Sequence, residues 1–334
     1  MMRRLGKFLL ALVVLLAVLG AAIWISAPRS HWPDLATLPA PEPGADLDAW
    51  LQSRESVFDD LVPGTEKAII WAGEPGARTD LALIYLHGFT ASRHEISPVP
   101  EAIAAALGAN YFATRLAGHG RGGGAVPGEA LGAASVEDWA LDLVEAMAVG
   151  RRLGQRVVLM GTSTGGSLAT LAALEPTWQD DIAAVITVSP NYGLRDDQAW
   201  TLDLPYAALW LPRVSGVERG GDPLNEEHGR TWTTRYPSLA LFPMRTVQTA
   251  AATADHTAAR APMLVFYAQG DHSVQPEATE RVIERWGARA DAHVITNADD
   301  PGQHVITGDI RSPATNDFVI NTTLEWLADL PGLR

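Results

Sequence analysis

One serine in the sequence stands where a nucleophile could be exposed. The stretch 157–174, VVLMGTSTGGSLATLAAL, begins with apolar β-formers and ends in a helix-favouring run, and Ser163 lies at the joint between them. Gly161 and Gly165 flank it, and glycines suit a tight strand-to-helix turn because side chains there would collide with the neighbouring elements. Such a turn directs the Ser163 hydroxyl outward. A phosphate-binding or merely structural glycine turn is the alternative interpretation of this pentapeptide taken alone.

The Ser163 hydroxyl needs partners, because serine is a poor nucleophile until a base takes its proton and an acidic group holds that base in the right tautomer. His304 lies in the loop NADDPGQHVITGD after the last apolar run, and Asp271 follows the preceding run in FYAQGDHSV. In a parallel sheet the loops after the strands meet at one edge, where Ser163 also lies. We therefore expect Ser163, Asp271 and His304 to act together as nucleophile, acid and base.

The remaining histidines have other expected positions. His293 falls inside the last expected strand and should be buried, whereas His272 is expected to serve packing or solvent contact. The others lie before the serine or in an irregular segment between Ser163 and Asp271: His31, His87, His94, His119, His228 and His256. Elimination thus favours His304 as the base.

Seven short apolar runs alternate with longer patterns of helical spacing. Continuous apolar runs suit strands that are buried on both faces. Ser135 and Asp138 form a capping-box start for one of the helices. This alternation predicts a mainly parallel central sheet with helices on both faces. The runs are 67–73, 81–88, 110–116, 156–161, 182–189, 263–269 and 292–297.

The stretch from about 191 to 260 breaks this rhythm. It is rich in Trp, Tyr and Pro and contains no convincing buried strand. We expect it to be an inserted cap over the strand ends that offers apolar surface to a substrate. A plain set of surface helices is the alternative.

These features resemble the α/β-hydrolase superfamily, nearest to its esterase, monoacylglycerol lipase and lysophospholipase-like branch. The resemblance rests on the glycine-flanked turn 161–165, called the elbow, on the chain order Ser163, Asp271, His304, and on the upstream YLHGFTAS at 85–92. It covers about residues 65–330. It implies an α/β-hydrolase fold with a helical cap inserted before the Asp-bearing strand.

The resemblance also implies roles for backbone groups. The family's oxyanion donors match the N–H groups of Phe89 and Thr164, and its elbow glycines match Gly161 and Gly165. Some relatives place the acid after the sixth strand, which leaves Asp196 or Asp197 as alternatives to Asp271. The RLAGHGR loop also resembles a family loop, so His119 is expected to be structural.

The activity implied is that of a serine hydrolase that cleaves carboxylic esters, in particular lipid-derived acyl esters, through an acyl-enzyme. No cofactor and no metal is required, and HEISP at 94–98 lacks the second histidine of a zincin helix. A peptidase or acyltransferase on the same fold is one alternative, and a non-catalytic binding protein with a vestigial site is another. A haloalkane dehalogenase is disfavoured because its chemistry requires a carboxylate where Ser163 stands.

Composition limits the partners of the chain. Its 334 residues, 47% of them hydrophobic, can form a sizeable core, and the net charge of −14 argues against a nucleic-acid partner. There is no cysteine, which excludes disulfides, thiolate zinc sites and a cysteine nucleophile. A small-molecule acyl ester and a membrane are the expected partners.

The first 27 residues are different in kind. Basic residues precede an uncharged stretch from 8 to 27, which as a helix would span a hydrocarbon core of about 30 Å. Trp24 and Ile25 near its end favour an uncleaved anchor in the inner membrane, with a secreted, signal-cleaved protein as the alternative. Because positive flanks stay cytoplasmic, the catalytic domain is expected on the periplasmic side. The predicted organisation is an anchor at 1–27, a Pro-rich tether at 28–45 and a hydrolase domain at 46–334.

Overall fold

The computed structural model describes residues 2–332, and seven of the strands in this range form one sheet in the order β1-β3-β2-β4-β5-β8-β9. All neighbours are parallel except β1, which runs antiparallel to β3. The remaining two strands, β6 and β7, pair with each other in a separate antiparallel ladder. The strands are β1 (Ala68–Ile70), β2 (Thr79–Leu86), β3 (Asn110–Ala113), β4 (Gly154–Thr162), β5 (Ile182–Val188), β6 (Glu218–Gly220), β7 (Arg235–Pro237), β8 (Met263–Tyr267) and β9 (Ala290–Val294).

Helices cover both faces of the large sheet, as predicted, and this is the α/β-hydrolase fold. The helices are α1 (Met2–Ser26), α2 (Leu47–Glu55), α3 (Val99–Ala106), α4 (Glu129–Ala133), α5 (Val136–Leu153), α6 (Thr164–Leu174), α7 (Ala207–Ser215), α8 (Glu226–Thr231), α9 (Leu241–Thr253), α10 (Pro276–Arg285) and α11 (Asn316–Ala328).

Successive residues of β2 alternate between two separate cores. Ala82, Ile84 and Leu86 belong to the core shared with α5, α6, α9 and α10, whereas Leu83 and Tyr85 belong to the core shared with α3 and α11. This is the two-residue period of a strand that is buried on both faces. The capping box expected at the start of α5 is present, with the Ser135 hydroxyl accepting from the Asp138 N–H and the Asp138 carboxylate accepting from the Ser135 N–H.

All seven expected sheet strands are present, but the expectation that each is buried on both faces is wrong at the two edges. β1 and β9 each have a neighbour on one side only, and their residues are half-buried or exposed. His293 in β9 is therefore only partly buried, with its ring stacked on Phe266 at a centroid distance of 5.7 Å. An apolar run alone does not distinguish a central strand from an edge strand.

Between β5 and β8 lie α7, α8, α9 and the β6–β7 ladder, in the stretch expected to be the cap. One part of this stretch belongs to the core, because α9 packs against α6 and buries Met244, Val247 and Ala251. The other elements are largely exposed and lie over the carboxyl ends of the strands, where Leu202 and Trp232 line the central cavity.

The N-terminal helix α1 stands apart from this core. Its segment Arg4–Ser26 has a mean hydropathy of 3.0 and none of it is buried. Length and composition are those of a membrane-spanning helix or of a signal sequence. The proline-rich segment that follows lies against the body, because Leu35 is buried in the same core as Leu47 and Leu51.

Candidate active site

The turn between β4 and α6 holds Ser163 in a conformation that few residues adopt. Ser163 has φ +52° and ψ −116°, and it is only 7% exposed. A Cβ atom at Gly165 would overlap the carbonyl group of Leu86 on β2, and one at Gly161 would overlap the carbonyl group of Gly165. The two glycines therefore allow the strand, the turn and the helix to approach closely enough to force Ser163 out of the sheet.

Replacing Gly165 by alanine should destabilise the protein. The new methyl group would meet backbone atoms of β2, which cannot rotate away as a flexible side chain could. We expect the free energy of unfolding to fall by about 1–3 kcal/mol, the usual range for overpacking a dense core. Urea unfolding monitored by circular dichroism measures this. Gly73→Ala is the matched control, because a Cβ there meets no atom within 4 Å, and an equal loss in both variants would contradict the prediction.

The structure brings Ser163, His304 and Asp271 into one hydrogen-bonded chain. His304 Nε2 lies 3.0 Å from Ser163 Oγ, and His304 Nδ1 lies 2.8 Å from Asp271 Oδ2. The other carboxylate oxygen of Asp271 accepts the N–H groups of Ser273 (2.7 Å) and Val274 (2.9 Å), which fixes the carboxylate in place. This arrangement can move a proton from the hydroxyl to the imidazole and stabilise the imidazolium that forms.

The two alternative acids do not take part in this chain of hydrogen bonds. Asp196 and Asp197 are both exposed, and the Asp196 carboxylate accepts the N–H of Gln198 at 2.8 Å. Among the described residues, Asp271 is the acid bonded to the imidazole ring of His304.

A second aspartate, which the sequence did not single out, holds the backbone of the histidine loop. Asp300 is fully buried, and its Oδ2 accepts the N–H groups of His304 (2.9 Å) and Val305 (3.0 Å). Its Oδ1 lies 2.5 Å from Arg311 Nη2. Burial raises the pKa of Asp300, but the Arg311 guanidinium and the N–H donors outweigh this and hold the pKa below its ordinary value. In the sequence, the acidic pair Asp299 and Asp300 before PGQH was the one sign of a carboxylate close to His304.

The charge state of His304 is set by opposing effects. Burial lowers the pKa of His304, but the hydrogen bond and charge of Asp271, together with the carboxylates of Glu95 and Asp300, outweigh burial and raise the pKa above 6.5. The imidazole is therefore a stronger base than a free histidine side chain, as a proton acceptor for serine requires.

A cavity of about 370 Å³ opens onto Ser163. Phe89 and Thr164 line it too, and no hydrogen-bond acceptor for the N–H of either residue is found within residues 2–332. Two free N–H groups beside the serine can receive a negatively charged oxygen. Much of the remaining wall is apolar: Leu194, Leu202, Trp232, Tyr236, Leu241, Met244 and Val274.

Two histidines in or near the loop 87–89, the HGF loop, make structural contacts. His119 Nε2 accepts the N–H of Thr90 at 3.0 Å, and His87 Nε2 accepts the N–H of Leu116 at 3.0 Å. Burial is the main cause that lowers the pKa of His87 to about 4 and the pKa of His119 well below its ordinary value. Both rings are therefore neutral. His272 is exposed, as expected.

Glu95 is a further carboxyl group in the cavity wall that the sequence did not single out. It is 3% exposed, and it accepts hydrogen bonds from the Gly88 N–H and the Tyr85 hydroxyl. Burial raises the pKa of Glu95 to about 7, against the opposing effect of these two donors. Across residues 2–332, no group of three or more His, Asp or Glu side chains is arranged to hold a metal ion.

A comparison with known families identifies the family of the chain. A family model described as serine aminopeptidase, S33 (Hydrolase_4) matches residues 77–299, a range that contains Ser163 and Asp271. No curated protein sequence matches the chain.

Solved structures of lipolytic enzymes share the fold at low sequence identity. A metagenome-derived lipolytic enzyme is 19% identical, with a TM-score of 0.63 over 80% of this chain and 98% of its own. The monoacylglycerol lipase of Paleococcus ferrophilus is 18% identical, with a TM-score of 0.53 over 78% and 96%. The monoglyceride lipase of Saccharomyces cerevisiae is 13% identical, with a TM-score of 0.56 over 90% and 98%.

The family model covers well over half of the chain. The chain therefore belongs to the serine aminopeptidase S33 (Hydrolase_4) family of the α/β-hydrolase superfamily.

Proposed function

We propose that the protein hydrolyses carboxylic esters in two steps through Ser163. His304 takes the hydroxyl proton as Ser163 attacks the ester carbonyl, and Asp271 stabilises the imidazolium. The alcohol then leaves with that proton, and a water molecule activated by His304 releases the acid from the acyl-enzyme. The observation that carries this proposal is the chain of two hydrogen bonds, 3.0 Å and 2.8 Å long, that joins Ser163, His304 and Asp271.

The oxyanion formed in both steps would be received by the N–H groups of Phe89 and Thr164. Both groups lack an acceptor within the described part of the chain and border the same cavity as Ser163. Backbone donors of this kind stabilise the transition state in acyl transfer, and the loss of one costs about 10²–10³ in turnover.

Activity should fall on the acid side of neutrality. The base must be a neutral imidazole, and because the pKa of His304 is raised above 6.5, kcat/KM should reach half of its plateau above pH 6.5. Turnover of p-nitrophenyl butyrate between about pH 5 and 9 measures this.

Glu95, with a pKa of about 7, titrates in the same range as His304. Glu95→Gln is therefore the control. If kcat/KM of this variant still falls at acid pH, the fall is due to protonation of His304. A plateau that extends unchanged below pH 6 in this variant would contradict the role of His304 as the base.

The substrates are proposed to be lipid-derived acyl esters. The apolar cavity wall supports this. The hydrogen bond from the Tyr206 hydroxyl to the Ser26 carbonyl (3.1 Å) also supports it, because Tyr206 then lies next to the end of α1. A series of p-nitrophenyl esters from acetate to palmitate tests it, and kcat/KM should rise with chain length. Exclusive use of acetyl and butyryl esters would contradict a lipid substrate.

A peptidase on the same fold would use the same three side chains, and the name of the family describes an aminopeptidase. Aminoacyl p-nitroanilides, assayed beside the esters, separate the two functions. A kcat/KM for these amides above that for every ester would favour the peptidase and overturn the esterase proposal.

The N-terminal segment is proposed to be a retained anchor, at residues 1–27, in the inner membrane. The length and mean hydropathy of Arg4–Ser26 support a membrane span, and the basic residues before the uncharged stretch 8–27 favour a periplasmic location for residues 46–334. Residues 28–45 would link the two, and about 191–260 would form the cap. Fractionation of cells tests the anchor: the full-length protein should stay with the membranes, whereas a shorter, soluble product would indicate signal cleavage.

A further inference from the structure

We propose that Glu95 is the positioning residue of the oxyanion hole, because its carboxyl group ties together the two loops that carry the Phe89 and Thr164 donors. This inference rests on the function proposed above. It assigns a role to a buried group that takes no part in the proton transfers. Glu95 lies between β2 and α3 in the chain and lines the cavity together with Phe89 and Thr164.

The first tie holds the loop of Phe89. Glu95 Oε2 accepts the Gly88 N–H at 2.6 Å, and the carboxyl group lies so close that a Cβ atom at Gly88 would overlap it. On the other side of Phe89, the Thr90 N–H is held by His119 at 3.0 Å. Both neighbouring N–H groups are thus engaged, and the N–H of Phe89 is left unbonded at a fixed position.

The second tie reaches the elbow. The same oxygen of Glu95 accepts the hydroxyl of Tyr85 at 2.9 Å, and Tyr85 in turn lies 3.1 Å from the hydroxyl of Thr162. Because Tyr85 has one proton to donate and donates it to Glu95, the Thr162 hydroxyl is the donor in the second bond. Thr162 directly precedes Ser163, so the carboxyl group is linked to the turn that presents the Thr164 N–H.

Glu95 Oε2 therefore fixes the positions of the Phe89 and Thr164 N–H groups relative to each other. All three polar groups are buried, with exposures of 0% for Tyr85 and Thr162 and 3% for Glu95, so water does not replace a lost bond easily. Donors aimed at an oxyanion must hold their position before the charge develops. Loss of the carboxyl group should therefore weaken binding of the transition state and leave binding of the ground-state ester nearly unchanged.

The experiment compares Glu95→Ala, Glu95→Gln and Tyr85→Phe in the full-length protein at pH 8. Two quantities are measured: kcat and KM for a p-nitrophenyl ester, and the inhibition constant of an alkyl trifluoromethyl ketone, whose adduct with serine places an oxyanion in the hole. For Glu95→Ala we expect kcat to fall by about 10²-fold with KM within about threefold, and the ketone to bind weaker in proportion to kcat/KM.

Two conservative variants keep the test open if Glu95→Ala does not fold. An amide oxygen in place of Oε2 can accept both hydrogen bonds, so Glu95→Gln should retain kcat within about threefold of the wild type. Tyr85→Phe removes the tie to Thr162 only, and kcat and ketone affinity should fall together by about tenfold. Full activity and full ketone affinity in Tyr85→Phe would overturn the proposal.

Glu101→Gln is the matched control. Glu101 is half-buried on the neighbouring helix α3, burial raises the pKa of its carboxyl group as it does that of Glu95, and its buried Oε2 has no hydrogen-bond partner in the part of the chain described. It should behave as the wild type. Equal losses in this variant and in Glu95→Ala, or a loss confined to KM, would mean that Glu95 acts on stability or substrate binding alone.

Failure of this inference is distinguishable from failure of the proposed function. If Ser163→Ala is inactive but Glu95→Ala keeps full turnover and ketone affinity, only the role of Glu95 falls. If Ser163→Ala keeps its activity, the nucleophile is wrong and both proposals fall.

Discussion

Replacing Ser163 by alanine should abolish ester hydrolysis and leave the fold intact. We expect kcat to fall by about 10⁴–10⁶-fold, the range seen when the nucleophile of a hydrogen-bonded serine, histidine and acid group is removed. The physical reason is that Ser163 is the serine whose hydroxyl oxygen is hydrogen-bonded to His304 Nε2. Initial rates with p-nitrophenyl butyrate and labelling by a fluorophosphonate both measure the change, and the variant should not be labelled.

Ser189→Ala is the matched control for this experiment. Ser189 also follows a central strand, β5, has a positive φ of +44°, and carries a buried hydroxyl without a hydrogen-bond partner among the residues described. It should be labelled and active like the wild type. Labelling of Ser163→Ala would identify another nucleophile. A wild-type protein that neither reacts with the reagent nor cleaves esters would instead support a binding protein with a vestigial site.

Replacing Asp271 by asparagine should lower kcat by about 10⁴-fold, with little effect on stability. The two N–H groups of Ser273 and Val274 donate to Oδ1, so the amide oxygen should stay at that position. The amide NH₂ group then faces His304 Nδ1 and donates to it. The imidazole is forced to carry its proton on Nε2, the nitrogen that faces Ser163, and it can no longer act as a base.

Asp196→Asn is the control for Asp271→Asn, because it tests the acid position that some relatives use. Asp196 borders the cavity but is exposed and bonded to the backbone of its own loop. Its variant should keep kcat within about threefold of the wild type. The reverse outcome, a large loss in Asp196→Asn and none in Asp271→Asn, would assign the acid to the earlier loop.

Local patterns in the sequence were sufficient to predict the sheet and to bring three side chains together. Each apolar run marks a strand, and a strand is followed by a loop at the same edge of a parallel sheet, so Ser163, Asp271 and His304 could be expected to meet. The structure places them within hydrogen-bond distance, and their catalytic roles stay predictions. The inference that the three side chains meet rested on residue type and chain order.

The supporting groups could not be predicted, because their roles depend on contacts that no local pattern encodes. Glu95 accepts hydrogen bonds from Gly88 and Tyr85 only because the loop before α3 folds back onto the end of β2. In the sequence, Asp300 is an ordinary loop residue, and its role follows only from the structure, in which its carboxylate accepts two backbone N–H groups. The partial exposure of His293 depends on the edge position of β9, and strand order is a property of the whole sheet.

The order in which the strands enter the sheet has a consequence for biosynthesis. Ser163 follows β4, whereas His304 follows β9, which pairs only with β8, so 141 residues separate Ser163 from His304 along the chain. A nascent chain that has left the ribosome as far as β8 has a complete elbow but no imidazole beside it. Under the mechanism proposed above, such a chain lacks its base, so we expect hydrolytic activity only after the segment that follows β9 has folded onto the sheet. The protein would therefore stay inactive while its earlier strands are being synthesised.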